Sequence, residues 1–158
     1  MRKLKIYFDT SVLNFYYAND SPKEMLVTRK LFEQIKKGIY ECYISDVVLA
    51  EVEKAEEEIK NKLKSLIVEY ELKVLRVDEE VIALFEKYVE ANIIPAKYEN
   101  DILHIAVSVV NELDVILSWN FEHIVKLKTK NEVNGINLLL GYRQIQIATP
   151  MEVIENED

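Results

Sequence analysis

Residues 114–124 read DVILSWNFEHI. Val115, Ile116 and Leu117 follow one another with no polar alternation, and that decides the fold. A strand with one face in water alternates apolar and polar side chains, whereas a strand covered on both faces does not. The run stops at Trp119, the chain's only tryptophan, and Asn120, Glu122 and His123 follow at once. The first apolar run, KIYF at Lys5–Phe8, ends in the same way at Asp9.

Between and around these runs, strand and helix patterns alternate. Ser21 and Pro22 open a helix that Gly38 closes, the usual order of a cap former, an N1 proline and a terminal glycine. YECYI (40–44) reads as a second strand. Ser45 caps DVVLAEVEKA, and a charged helix covers about Glu56 to Tyr70. KVLRV (73–77) is the third strand, and Asp78 caps a helix to about Ala91, with Pro95 marking the break. NDILHIAVSVVNEL (100–113) is a nearly all-apolar helix and is expected to be buried. DVILSW is the fourth strand, a turn of helix and a helix from about Lys130 to Leu140 follow, and RQIQIATP (143–150) is the last strand. Such alternation predicts an α/β fold with a mostly parallel sheet of four to five strands between helical layers. Ligands of such sheets bind beyond the carboxyl ends of the strands.

Composition narrows the function. At 158 residues the chain forms one domain with a real core, and no apolar run approaches the roughly 20 residues of a membrane helix. No secretory signal precedes the first strand, and Cys42 alone cannot form an internal disulfide, so a cytoplasmic location is expected. The net charge of -8 argues against a general nucleic-acid-binding surface. It does not exclude a nuclease, whose clustered carboxylates add to the negative total and are neutralised by bound cations. Three glycines and no glycine-rich loop argue against a nucleotide-cofactor fold. The final residues, IENED, read as a frayed acidic tail.

Several carboxylates occupy informative positions. Asp9 follows the first strand directly, although DTS is also a run of helix-cap formers. Glu51 falls beside Val47, Val48, Val52 and Ala55 on its helix and borders an apolar stripe. It needs a counter-charge, water, or a neighbour such as Lys54. Asp101 opens the most apolar helix, with His104 and Ser108 on the same side one and two turns on. His104 reads more readily as a satisfied structural group than as a ligand. Asn120 follows the fourth strand as Asp9 follows the first. Oxygen donors converging from these positions suit Mg²⁺ or Mn²⁺, and one cysteine and two histidines are too few for a zinc site.

YFDTSVL, AEVEKA, NDILHIAVS and ILSWNF, in this order and spacing, resemble the acidic motifs of the PIN domain. The size and single-domain organisation resemble the VapC-type toxins of toxin–antitoxin pairs. The resemblance implies a three-layer α/β/α domain over residues 1–150, an acidic tail over 151–158, and a metal-dependent ribonuclease. It makes Asp9, Glu51 and Asp101 the metal-binding acids, holding Mg²⁺ or Mn²⁺, with Thr10 and Ser11 supporting the first. The family's fourth acid is Asn120 here, which leaves one metal or two open, and Glu122 is a substitute charge from two residues away. RNA as substrate, a cognate antitoxin protein, a homodimer and no membrane association are the partners implied. The helix faces at Met25–Ile35 and Val47–Val52 are candidate antitoxin groove walls. Lys126 and Lys128, in a short lysine cluster with Lys130, are candidate phosphate contacts, and Arg2, Lys3 and Lys5 form a second cluster.

Overall fold

The structure, a computed structural model, describes residues 2–156. Five strands form one all-parallel sheet: β1 (Leu4–Phe8), β2 (Tyr40–Ser45), β3 (Lys73–Leu75), β4 (Val115–Leu117) and β5 (Gln146–Ala148), in the order β3-β2-β1-β4-β5. The helices are α1 (Thr10–Phe15), α2 (Pro22–Lys36), α3 (Asp46–Glu53), α4 (Glu57–Glu69), α5 (Glu79–Glu90), α6 (Glu99–Val110) and α7 (Leu127–Leu140).

The run of apolar residues in β1 and β4 divides between two cores, as a doubly covered sheet requires. Ile6, Phe8, Val115 and Leu117 face one core, packed by α1 to α4 through residues such as Val12, Phe32, Val48 and Leu66. Tyr7 and Ile116 face the other, packed by α5 to α7 through Leu84, Tyr88, Ile105 and Val133. The α/β/α layering follows from this two-sided burial.

Strand order carries the functional consequence. From β1 the chain runs outward through β2 and β3, then crosses back to place β4 on β1's other side. The β1–β4 boundary is a topological switch point, where the connections leave in opposite directions and open a crevice. Phe8 pairs with Leu117 there, so Asp9 and Ser118 leave the sheet side by side.

Some local expectations are corrected. After the first strand, Thr10–Phe15 form an unexpected helix, α1, with Asp9 at its N-cap position but making no side-chain cap bond. Ser21 makes no side-chain cap bond, so Pro22 alone marks the start of α2. β3, β4 and β5 are shorter than the apolar runs suggested. α7 begins at Leu127 rather than about Lys130. The proposed groove walls are largely core: Leu31, Phe32, Val48 and Val52 are buried, while Leu26 is exposed. The tail is anchored as far as Glu155: the Gln34 amide donates to its carbonyl (2.8 Å) and accepts from its N–H (3.1 Å), and Tyr40 donates to the Val153 carbonyl. Glu157 and Asp158 lie outside the described residues. No helix among the described residues is long and apolar enough to cross a membrane.

Candidate active site

At the β1–β4 crevice, a cavity of about 300 Å³ gathers Asp9, Thr10, Glu51, Asp101, His104 and Asn120, with Ser11 at its wall. Asp9, Glu51 and Asp101, three of the four acids singled out from the sequence, are therefore in one place. Each arrives on a different element: Asp9 from the end of β1, Glu51 from α3, Asp101 from the first turn of α6, and Asn120 from the loop after β4.

Asp9 is 3% exposed, and two serines bracket it. Ser11 Oγ donates to Asp9 Oδ1 (2.6 Å) and accepts from the Trp119 N–H (2.9 Å). Ser118 Oγ donates to Asp9 Oδ2 (2.5 Å) and accepts from the Asn120 N–H (2.9 Å). Each serine thus ties the carboxylate to the backbone of the β4 loop. Burial raises the Asp9 carboxyl above its usual range, and the two serine bonds oppose that rise. Trp119 itself packs inward, donating from Nε1 to Thr28 Oγ1 (2.9 Å) and meeting the Phe15 ring.

Glu51 finds its hydrogen-bond partner in His104, and the charge of Lys54 also favours its ionised form. His104 Nε2 stands 2.7 Å from Glu51 Oε1, and Thr10 Oγ1 donates to the same oxygen at 2.9 Å. Burial works to raise Glu51, but these contacts with His104 and Thr10 outweigh it and hold the carboxyl below its usual range. Asp101 is raised, first by burial, and the negative charges of Asp9 and Glu51 push it the same way. Mutual repulsion of this kind marks a site suited to a cation.

Asn120 faces the crevice through its nitrogen. Its Nδ2 donates to Asp101 Oδ2 (3.2 Å), while Oδ1 accepts from the N–H groups of Glu122 (3.1 Å) and His123 (2.9 Å). Two backbone donors fix the amide orientation, so its oxygen is committed to the loop. The turn it makes carries Glu122 away. That side chain is 82% exposed and lines a second cavity of about 490 Å³ together with His123, Lys126 and Lys128. Glu122 therefore does not replace the missing fourth acid. Lys128 is engaged by Glu132 (2.9 Å) and the Ile93 carbonyl, whereas Lys126 has no ion-pair partner among the described residues.

Among the described residues, no three His, Cys, Asp or Glu side chains stand close enough to enclose a metal ion as they are disposed. The donor chemistry nonetheless fits a hard cation held more loosely. Glu51 Oε2 and Asp101 Oδ1 accept no hydrogen bond from the described residues. Mg²⁺ needs only one or two carboxylates, keeping its remaining ligands as water.

A PIN domain profile matches residues 6–123, which spans Asp9, Glu51, Asp101 and Asn120. The chain belongs to the PIN domain family. No curated protein sequence matches it. This PIN domain shares its fold with a chain of VapBC2 from Rickettsia felis, solved bound to a DNA fragment from its promoter; identity is 16% and TM-score 0.55, covering 98% of this chain and 100% of that one. It is also similar to VapBC-1 from nontypeable Haemophilus influenzae, at 12% identity and TM-score 0.58, covering 94% and 99%. VapBC-5 from Mycobacterium tuberculosis, of the VapBC family of toxin–antitoxin systems, matches at 16% and 0.51, covering 92% and 98%.

Sequence reasoning missed Ser118 and Tyr7. Ser118 could have been found from its register, since it follows β4 as Asp9 follows β1. Tyr7 gave no signal beyond being one of the apolar-run residues.

Proposed function

We propose that this PIN domain is a Mg²⁺- or Mn²⁺-dependent endoribonuclease, the toxin of a type II toxin–antitoxin pair, hydrolysing RNA phosphodiesters in the Asp9–Glu51–Asp101 pocket. The observation that carries this reading is the meeting of three carboxylates at the sheet's switch point, in the order the family motifs require. A bound divalent ion supplies Lewis acidity, easing deprotonation of water and offsetting phosphate charge. The protein's part is placement. Asp9, pinned by Ser11 and Ser118, and Asp101 provide the anionic floor that holds the ion. Glu51, fixed through Oε1, lines the pocket, and its second carboxylate oxygen would orient the attacking water and accept its proton. Lys126, without an ion-pair partner among the described residues, supplies a cation for backbone phosphate.

A cognate antitoxin as partner, a homodimer and a cytoplasmic setting complete the proposal; the VapBC complexes of like fold support the first. A second reading has its own observation: Asn120 contributes no free oxygen, which favours a catalytically weakened module that binds RNA or a protein without cutting. Incubating structured and unstructured RNAs with Mg²⁺, Mn²⁺ or chelator separates the two. Metal-dependent cleavage is expected, and its absence alongside intact RNA binding would favour the second reading.

A further inference from the structure

Behind Glu51 lies a buried line of polar groups that the proposed chemistry does not use. It begins at the residue that caps α3 and ends on that helix. Ser45, the N-cap of that helix, accepts from the Val47 N–H (3.2 Å) and stands 2.6 Å from Tyr7 Oη. Tyr7 Oη is 2.7 Å from His104 Nδ1, and His104 Nε2 is 2.7 Å from Glu51 Oε1. Ser45 and Tyr7 are completely buried and His104 is 2% exposed, so water cannot satisfy any of them.

Counting protons gives the line a direction. Ser45 Oγ has one proton to donate, and Tyr7 Oη is the acceptor offered to it among the described residues. Were Tyr7 to donate to Ser45 instead, the serine proton would be stranded in a dry interior. Tyr7 therefore gives its own proton to the other side, to His104 Nδ1, which must carry a lone pair. The ring proton then sits on Nε2 and points at Glu51 Oε1. In this arrangement every donor meets one acceptor. The reversed ring would set a nitrogen lone pair against the carboxylate.

We propose that Ser45, Tyr7 and His104 form a one-way positioning relay that fixes His104 as its Nε2–H tautomer and locks Glu51 with Oε2 facing the pocket. The relay couples Glu51 to the cap of its own helix by way of β1 and α6, so α3 cannot turn without breaking it. The role of Glu51 toward an ion rests on the proposed function; the tautomer does not. Outer hydrogen bonds to a ligating carboxylate commonly govern metal affinity by about 10-fold or more.

The test is long-range ¹H–¹⁵N correlation of the imidazole nitrogens in the metal-free full chain, with a His123→Asn variant to assign the two histidines. Nε2 of His104 should be protonated and Nδ1 bare. Ser45→Ala should preserve that tautomer, because Tyr7 still donates. Tyr7→Phe should populate Nδ1–H and weaken Mn²⁺ binding, read by calorimetry, about 10-fold. A protonated Nδ1 in the unaltered protein overturns the relay, and that measurement stands even if Tyr7→Phe fails to fold. A tautomer indifferent to Tyr7→Phe, or a changed tautomer with unchanged Mn²⁺ affinity, overturns it as well. Loss of RNA cleavage with the expected tautomer would instead count against the proposed function alone.

Discussion

Asn120 donates its amide N–H to Asp101 Oδ2 across 3.2 Å and gives its carbonyl oxygen to the backbone of the loop that follows. A neutral donor thus stands where a fourth acid would add charge. Asp101 already feels Asp9 and Glu51, and the amide offers it a hydrogen bond with no added charge.

Replacing the amide tests this directly. Asn120→Asp keeps an acceptor for the Glu122 and His123 N–H groups but sets a second carboxylate against Asp101. In chelator its melting temperature should fall by about 2–4 °C per kcal/mol of added repulsion. Mn²⁺ should raise it more than it raises the unaltered protein. Equal responses to Mn²⁺ would mean that position 120 does not face the ion.

Asp101 also sets a pH dependence. Its folded pKa lies above the ordinary value, so the folded state binds this proton more tightly than the unfolded chain. The linked destabilisation is absent below the ordinary carboxylate pKa of about 4, grows as pH rises to the raised value, and is complete above it. In chelator, Asp101→Asn should therefore be the more stable protein at pH 7, and the difference should vanish on acidification below about pH 4. Glu51 has the opposite sign: its lowered pKa contributes stability that is lost as pH falls through it. Thermal melts of both proteins across pH read the difference.

The serine bracket makes a structural prediction. Ser11→Ala removes a donor from Asp9 and leaves the Trp119 N–H without its partner. A buried unsatisfied donor costs about 1–3 kcal/mol, which urea denaturation would resolve. Ser11→Thr, which retains the hydroxyl, should recover most of it.

The two lysines after β4 are not equivalent. Lys126 has no ion-pair partner among the described residues, while Lys128 must first leave Glu132 and the Ile93 carbonyl. Lys126→Ala should weaken RNA binding more than Lys128→Ala and lower the magnitude of the salt slope by about 0.7 for a single-stranded contact. Filter binding across salt concentrations checks it, and an unchanged slope would remove Lys126 from the interface.

Much of this site was legible because its acids sit where strand ends and helix starts can be read from periodicity. Asp9, Glu51 and Asp101 each interrupt an apolar frame, and parallel topology brings such positions to one edge. What stayed hidden depends on contacts distant in the chain. Glu122 looked available because it is two residues from Asn120, but Asn120's own hydrogen bonds turn the loop and send it outward. His104 gave no hint that Tyr7 and Glu51 would hold both its nitrogens. α1 escaped notice because it is only 6 residues long and begins in a run of cap formers. The anchored tail depends on Gln34, a buried amide whose partner lies 121 positions away.

Whether the Asp9–Glu51–Asp101 pocket cuts RNA with a divalent ion is read from cleavage of a defined RNA by the purified chain with Mg²⁺ or Mn²⁺, beside chelator and beside Asp9→Asn. Cleavage should require the ion and fall about 100-fold or more in Asp9→Asn. Cleavage that survives chelation, or that Asp9→Asn leaves unchanged, would contradict the proposed function.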